Sequence, residues 1–218
     1  MAKLFKFDLL RRKITAFGYV GDDVEGFTEY QFNEALDNLE PGDLWLHLKS
    51  DGGSIEAGMS IYNTLHHFPG QVNVMVDTMA ASMGVTVMLA GDNIQISKNG
   101  KVMIHKSATI AMGNARDFRG VAQILDLLDQ QTAELYEEKT GKSADYWLGL
   151  MEKETWMGAK QAVDEGLVHS IREGTSWGRE PAQEARKPIF SQRHTGELAA
   201  KLAEVQSTWQ QINDYLSK

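Results

Sequence analysis

The stretch VNVMVDTMAASMGVTVMLAG, residues 72–91, decides how the chain folds. Its first six residues, VNVMVD, are mostly apolar and β-branched and read as a buried strand. Small residues then turn the chain, and MGVTVMLAG continues as a buried helix. At the junction stands one hydroxyl, Ser82, between alanines and an apolar run. A lone buried hydroxyl costs stability unless it finds a partner. One explanation is an N-cap, accepting a hydrogen bond from the first helical turn. The other is a nucleophile: Ala80, Ala81 and Gly84 let the backbone crowd in, and a helix N-terminus favours developing negative charge.

The same rhythm recurs on both sides. KITAFGYVG (13–21) alternates as a strand and TEYQFNEALDNL (28–39) has helical spacing. PGD turns into LWLHLK (44–49), a short strand interrupted by SDGGS, and IEAGMSIYNTLHHF (55–68) resumes a helical period. Downstream, NIQIS and KVMIH flank KNG as two strands joined by a tight turn. A long helix then runs from about Ala115 to Lys139, closed by TGKS. Strand, turn and helix in alternation predict βαβ units and a wound, largely parallel α/β sheet with right-handed connections.

That topology gathers chemistry. Loops at the carboxyl ends of adjacent parallel strands face one crevice, so the SDGG and AASMG turns are expected to be neighbours. The glycine pair can present backbone N–H groups to an anion, although a Gly-containing turn is common without any function. His105 ends the strand KVMIH and so falls at a strand end as well. His47 lies mid-strand, His66 and His67 sit on a helix, and His169 and His194 lie in later, surface-like sequence. An imidazole beside Ser82 could take the proton that a free serine keeps at neutral pH.

Composition narrows the class. Over 218 residues, 22 basic against 30 acidic side chains give a net charge of −8, which argues against coating nucleic acid or an anionic membrane. There is no cysteine, which excludes disulfides, thiolate metal sites and a cysteine nucleophile. MAKLFKFDLLRRK lacks the long apolar core of a signal peptide, and GVTVMLAG is too short to span a bilayer; the reading is cytoplasmic.

Three segments are expected: a domain over residues 1–172, a linker over 173–196 and a helix over 197–218. The linker, EGTSWGREPAQEARKPIFSQRHTG, holds two of the four prolines and shows no period. Beyond it Leu198, Leu202, Val205, Trp209, Ile212 and Leu216 alternate at steps of four and three. This is an a/d seam about three heptads long, or an amphipathic helix docked on its own domain.

These residues resemble the Clp protease proteolytic subunit family. SDGGSIEAGMSIYNTL is similar to its Gly-Gly loop and following helix, AASMG to its nucleophile turn, and VMIHKS to its histidine strand. ETWMGAKQAVDEGLVHSI is similar to its acid-bearing segment and closing strand. The similarity covers roughly residues 13–172, and TIAMGNARDF and ETWM look most like the phage head-maturation peptidases within the family.

The resemblance implies a spiral of ββα units, shared with crotonases, carrying a C-terminal helical extension. It implies a serine endopeptidase with Ser82 as nucleophile, His105 as general base and then acid, and Glu154 as the third member. The backbone N–H groups of Gly53 and Met83 would form the oxyanion hole. No cofactor and no metal are implied. Glu154 stands where the family usually has aspartate, with Glu152 as the alternative, and Asp51 replaces a proline. Stacked homo-oligomeric rings are implied, with the helix near 115–140 joining ring to ring and covering protein or peptide substrate. Scaffold or capsid protein would be the partner of the C-terminal helix, in host cytoplasm or prohead; an unfoldase ATPase partner is not implied, and nothing resembles a P-loop. The competing readings are a catalytically silent ring or scaffold protein of the same fold and an acyl-CoA enzyme of the crotonase superfamily.

Overall fold

The structure, a computed structural model, describes residues 4–37 and 39–172. The expected linker at 173–196 and heptad helix at 197–218 lie outside the described residues, as does His194.

Phe5–Asp8 forms β1, which turns back antiparallel onto β2 (Lys13–Val20), from Phe5↔Ala16 to Asp8↔Lys13. After a two-residue strand β3 (Gly26–Phe27) comes α1 (Glu29–Leu36), opened by a reciprocal capping box between Thr28 and Gln31. The alternation then runs β4 (Leu44–Gly53), α2 (Ile55–His66), β5 (Val72–Ala81), α3 (Met83–Met88), β6 (Asn93–Ser97) and β7 (Lys101–Ile104). The long helix α4 (Ala115–Thr140) starts on an Asn114–Asp117 capping box and stops at Gly141, whose φ of 75° is left-handed and suits glycine. Helix α5 (Ala144–Met151), strand β8 (Thr155–Gly158), helix α6 (Ala159–Asp164) and strand β9 (Ser170–Arg172) complete the described chain.

The sheet follows the order β1-β2-β4-β5-β6-β9, with β3 on β2, β7 on β5 and β8 on β7. Among the described residues only β1–β2 and β7–β8 pair antiparallel. This is the wound, largely parallel α/β sheet the alternation predicts. Leu44, Leu46 and Leu48 alternate along β4 and are all buried, as are Val72, Val74 and Val76 along β5. Helices α2 and α3 pack over the sheet around them. Each fully buried leucine contributes about 2 kcal/mol, and truncating Leu46 to alanine would cost about 2–5 kcal/mol.

Three features differ from expectation. SDGG does not interrupt β4: the strand continues through Gly53, pairing Tyr19↔Gly52 and Val20↔Gly53 after an irregularity between Phe17 and Tyr19. Strands β6 and β7 are the two expected strands, but they pair with β5 and not with each other. The turn between them exists, with Gly100 N–H donating to Ser97 O at 2.8 Å. It shifts the chain sideways without reversing it, because β5 is ten residues long and takes both strands in parallel. Asn73–Val76 pair with β6 and Met79–Ala81 with β7. Finally, β1 and α5 form in stretches to which the sequence analysis assigns no element.

Candidate active site

The parallel run of β7 along the end of β5 builds the site. Because Ala81 pairs with Met103, the next residue of each strand follows in step, and Ser82 N–H donates to Met103 O at 2.9 Å. Two residues after Met103 the chain reaches His105. Its Nε2 lies 2.8 Å from Ser82 Oγ. With Nε2 unprotonated, the serine hydroxyl donates to it.

Ser82 has φ 52° and ψ −126°, a region that L-residues avoid. Strain of this kind costs about 1–3 kcal/mol and persists only where the surroundings enforce it. The serine hydroxyl makes no capping bond to α3, so the N-cap explanation fails. The unusual backbone turns the side chain away from its own helix and toward the imidazole.

Small residues clear the space. A Cβ added at Gly52 would stand 2.6 Å from Ser82 Cβ and 3.1 Å from its Oγ; one at Gly84 would stand 2.8 Å from Ser50 Cβ. The SDGG and AASMG segments are therefore in contact, as parallel placement predicts. Ser50, fully buried, ties the segment down: its Oγ donates to Gly18 O at 2.8 Å and accepts from Gly52 N–H at 3.1 Å. That bond occupies the N–H of Gly52. Gly53 in turn has φ 144°, and a Cβ there would meet Val20 O at 2.2 Å.

The carboxylates stand apart. Extending the β7–β8 register of Ile104↔Thr155 by one step sets Glu154 opposite His105. Yet Glu154 Oε1 accepts from Trp156 Nε1 at 3.2 Å, and its backbone is left-handed, with φ 47°. Glu152 pairs with Lys106 Nζ at 2.5 Å. The hydrogen bond that the Lys106 ammonium donates to Glu152, with the charges of Glu152, Asp129 and Asp126, holds it above its ordinary pKa. Among the described residues no carboxylate forms an ion pair with His105. Ser82 and His105 are brought together; Glu154 is brought near in register but bonded elsewhere.

Ser50, Gly52, Trp156 and Asp129 shape the site in ways not assigned to them from the sequence. Ser50 and Gly52 lie inside the SDGG motif. Trp156 lies in ETWM, two residues from Glu154, but its indole bond to that carboxylate follows no period, and the partner of Asp129, Ser107, is 22 positions away and is brought near only by the tertiary fold. The other described histidines sit elsewhere: His66 and His67 at the end of α2, His169 accepting from Ile94 N–H at 2.8 Å, and His47 beside Asp77 at 3.7 Å. Among the described residues no helix is long and apolar enough to cross a membrane, and no group of three or more His, Asp or Glu side chains could hold a metal ion.

The family model for Clp protease matches residues 24–175. The chain is 36% identical over 133 residues to ATP-dependent Clp protease proteolytic subunit 1 of Leifsonia xyli subsp. xyli, covering 60% of this chain and 68% of that protein. It is 27% identical over 159 residues to the ATP-dependent Clp protease proteolytic subunit of Bacteroides fragilis, covering 70% and 77%. A solved ClpP1 variant from Listeria monocytogenes superposes with a TM-score of 0.64 at 22% identity, over 76% of this chain and 94% of that one. Fold, motif order and family model converge: this chain belongs to the Clp protease family.

Proposed function

We propose that this chain is a serine endopeptidase that cleaves peptide bonds through an acyl-enzyme, of the kind that matures phage heads. The observation that carries the reading is the 2.8 Å contact between Ser82 Oγ and His105 Nε2 at a strained strand-to-helix turn. Ser82 Oγ attacks the peptide carbonyl as His105 Nε2 takes its proton. The tetrahedral oxyanion is held by the N–H groups of Gly53 and Met83. His105 then protonates the leaving amine, and water repeats the sequence on the acyl-enzyme. Glu154, opposite His105 in the extended register, orients the imidazole and stabilises its charged form once its carboxylate leaves Trp156.

Homo-oligomeric rings suit the exposed apolar groups on and before α4. Ile110 is 98%, Met112 86%, Phe118 50% and Leu127 43% exposed, and a neighbouring copy would cover them. Residues 173–196 would serve as linker and 197–218 as a helix for scaffold or capsid protein.

A folded parent should react with a fluorophosphonate probe and hydrolyse short peptides without ATP, and Ser82→Ala should do neither. A second reading, a silent ring or scaffold protein, is favoured by the bond from Trp156 to Glu154. Absence of labelling in the folded, assembled parent would establish it.

A further inference from the structure

His105 is the first residue beyond β7, and residues 106–113 separate it from Asn114, the cap of α4. On its upstream side the histidine is held by the β7–β8 ladder and by Ser82 N–H on Met103 O. On its downstream side the chain has no regular structure. Among the described residues, one hydrogen bond reaches the backbone of 106–113: Ser107 N–H donates to Asp129 Oδ1 at 2.6 Å. Asp129 lies on α4 and is only 4% exposed.

A buried carboxylate is costly unless it is bonded, and here the bond goes to the loop that leaves the histidine rather than to the helix that carries the aspartate. The residue between, Lys106, pairs with Glu152 in the turn before β8. The two residues after His105 are thus fastened to two different elements, α4 and the α5–β8 turn. Freed at Ser107, the loop could swing and carry the imbalance back into the His105 backbone. Proton transfer from Ser82 tolerates little such movement, since a 1 Å misplacement can cost about a hundredfold in rate.

We propose that Asp129 is a positioning residue for His105, acting through Ser107 N–H to hold Nε2 on Ser82 Oγ. The inference rests on the reading of Ser82 and His105 as the reactive pair. The charge of Asp129 matters less than its acceptor, so asparagine should serve in its place.

The test measures fluorophosphonate labelling rate together with kcat and KM on a short peptide, for the full chain and its Asp129→Ala, Asp129→Asn and Asp129→Glu variants, with Ser82→Ala as blank. Asp129→Ala should lose about tenfold to a hundredfold in labelling rate and kcat with KM within about twofold. Asp129→Asn should recover to within about threefold of the parent, because its amide oxygen still accepts from Ser107. Asp129→Glu should fall between them, its extra methylene pushing the loop outward. Parent-like rates in Asp129→Ala overturn the proposal, and so do equal losses in the alanine and asparagine variants. If the alanine variant does not fold, the asparagine and glutamate variants decide, and equal rates in those two overturn it. A folded parent that neither labels nor hydrolyses peptide overturns the active-site reading itself, and this inference with it.

Discussion

The indole Nε1 of Trp156 donates to Oε1 of Glu154 at 3.2 Å, so the carboxylate set opposite His105 by the strand register is bonded to a neighbour two residues along its own chain. Trp156 is half exposed, and the bond competes with water, so it is weak enough to exchange for a charged imidazole. If Glu154 orients His105, Glu154→Gln should lower kcat by about 10³–10⁴, the scale seen when a triad acid loses its charge. Glu152→Gln, which breaks only the Lys106 pair, should cost less than about tenfold. Steady-state peptide hydrolysis ranks the two. The reverse order would move the role to Glu152, and no effect from either would leave a Ser–His pair.

Strain at Ser82 predicts a separation of stability from activity. Ser82→Ala keeps a side chain at φ 52°, whereas Ser82→Gly removes the clash. Both variants should be inactive, yet the glycine variant should be about 1 kcal/mol more stable than the alanine variant. Chemical denaturation of the two, side by side, checks this. Equal stability would mean that the turn stores no strain.

Clearance around the serine predicts a second loss of activity without loss of any reactive group. Gly52→Ala would set a methyl 2.6 Å from Ser82 Cβ at a φ of 101°. The serine must move, and a shift near 1 Å should lower kcat about a hundredfold. Gly149→Ala, with nothing within 4 Å of the added Cβ, is the control and should keep parental rates. A fully active Gly52→Ala enzyme would show that the two turns do not press on each other.

His47 sets an acid limit on stability. Burial pushes its imidazole down to about 4, with the Asp77 carboxylate 3.7 Å away partly opposing the shift. The folded chain therefore refuses a proton that the unfolded chain accepts. The associated stability is complete above the ordinary histidine pKa of about 6.5 and is lost as pH falls from there toward 4. Allowing for solvent screening, the loss should be on the order of 1 kcal/mol. Denaturation at pH 7 and pH 4.5 should show the parent losing more stability than His47→Gln, which cannot titrate. Equal losses would mean that His47 takes up its proton as readily in the fold.

Alternation along the chain was enough to identify a wound parallel sheet. Strands such as VNVMVD and helices such as IEAGMSIYNTLHHF announce themselves within a dozen residues, because side-chain burial repeats with the period of the backbone. Parallel winding then sends the carboxyl ends of these strands to one edge, which groups SDGG, Ser82 and His105 from the sequence alone. The same local reasoning reads KNG as a turn between two strands, but does not give which strand each one pairs with. What it lacked was the length of β5, whose second half was free to take β7 in parallel.

The tertiary structure alone decided the rest. Whether Ser82 caps its helix or faces His105 depends on surroundings distant in sequence: Met103 O accepts from its N–H, and Gly52 leaves room for its side chain. Glu154 turns to Trp156, and Asp129 reaches Ser107 across 22 positions of chain, through side-chain contacts that no period announces. Periodicity records which residues leave water, and a motif records which residues could react. The pairing of one particular donor with one particular acceptor is fixed only when strands take their register and helices pack, because that choice sums contributions from the whole fold.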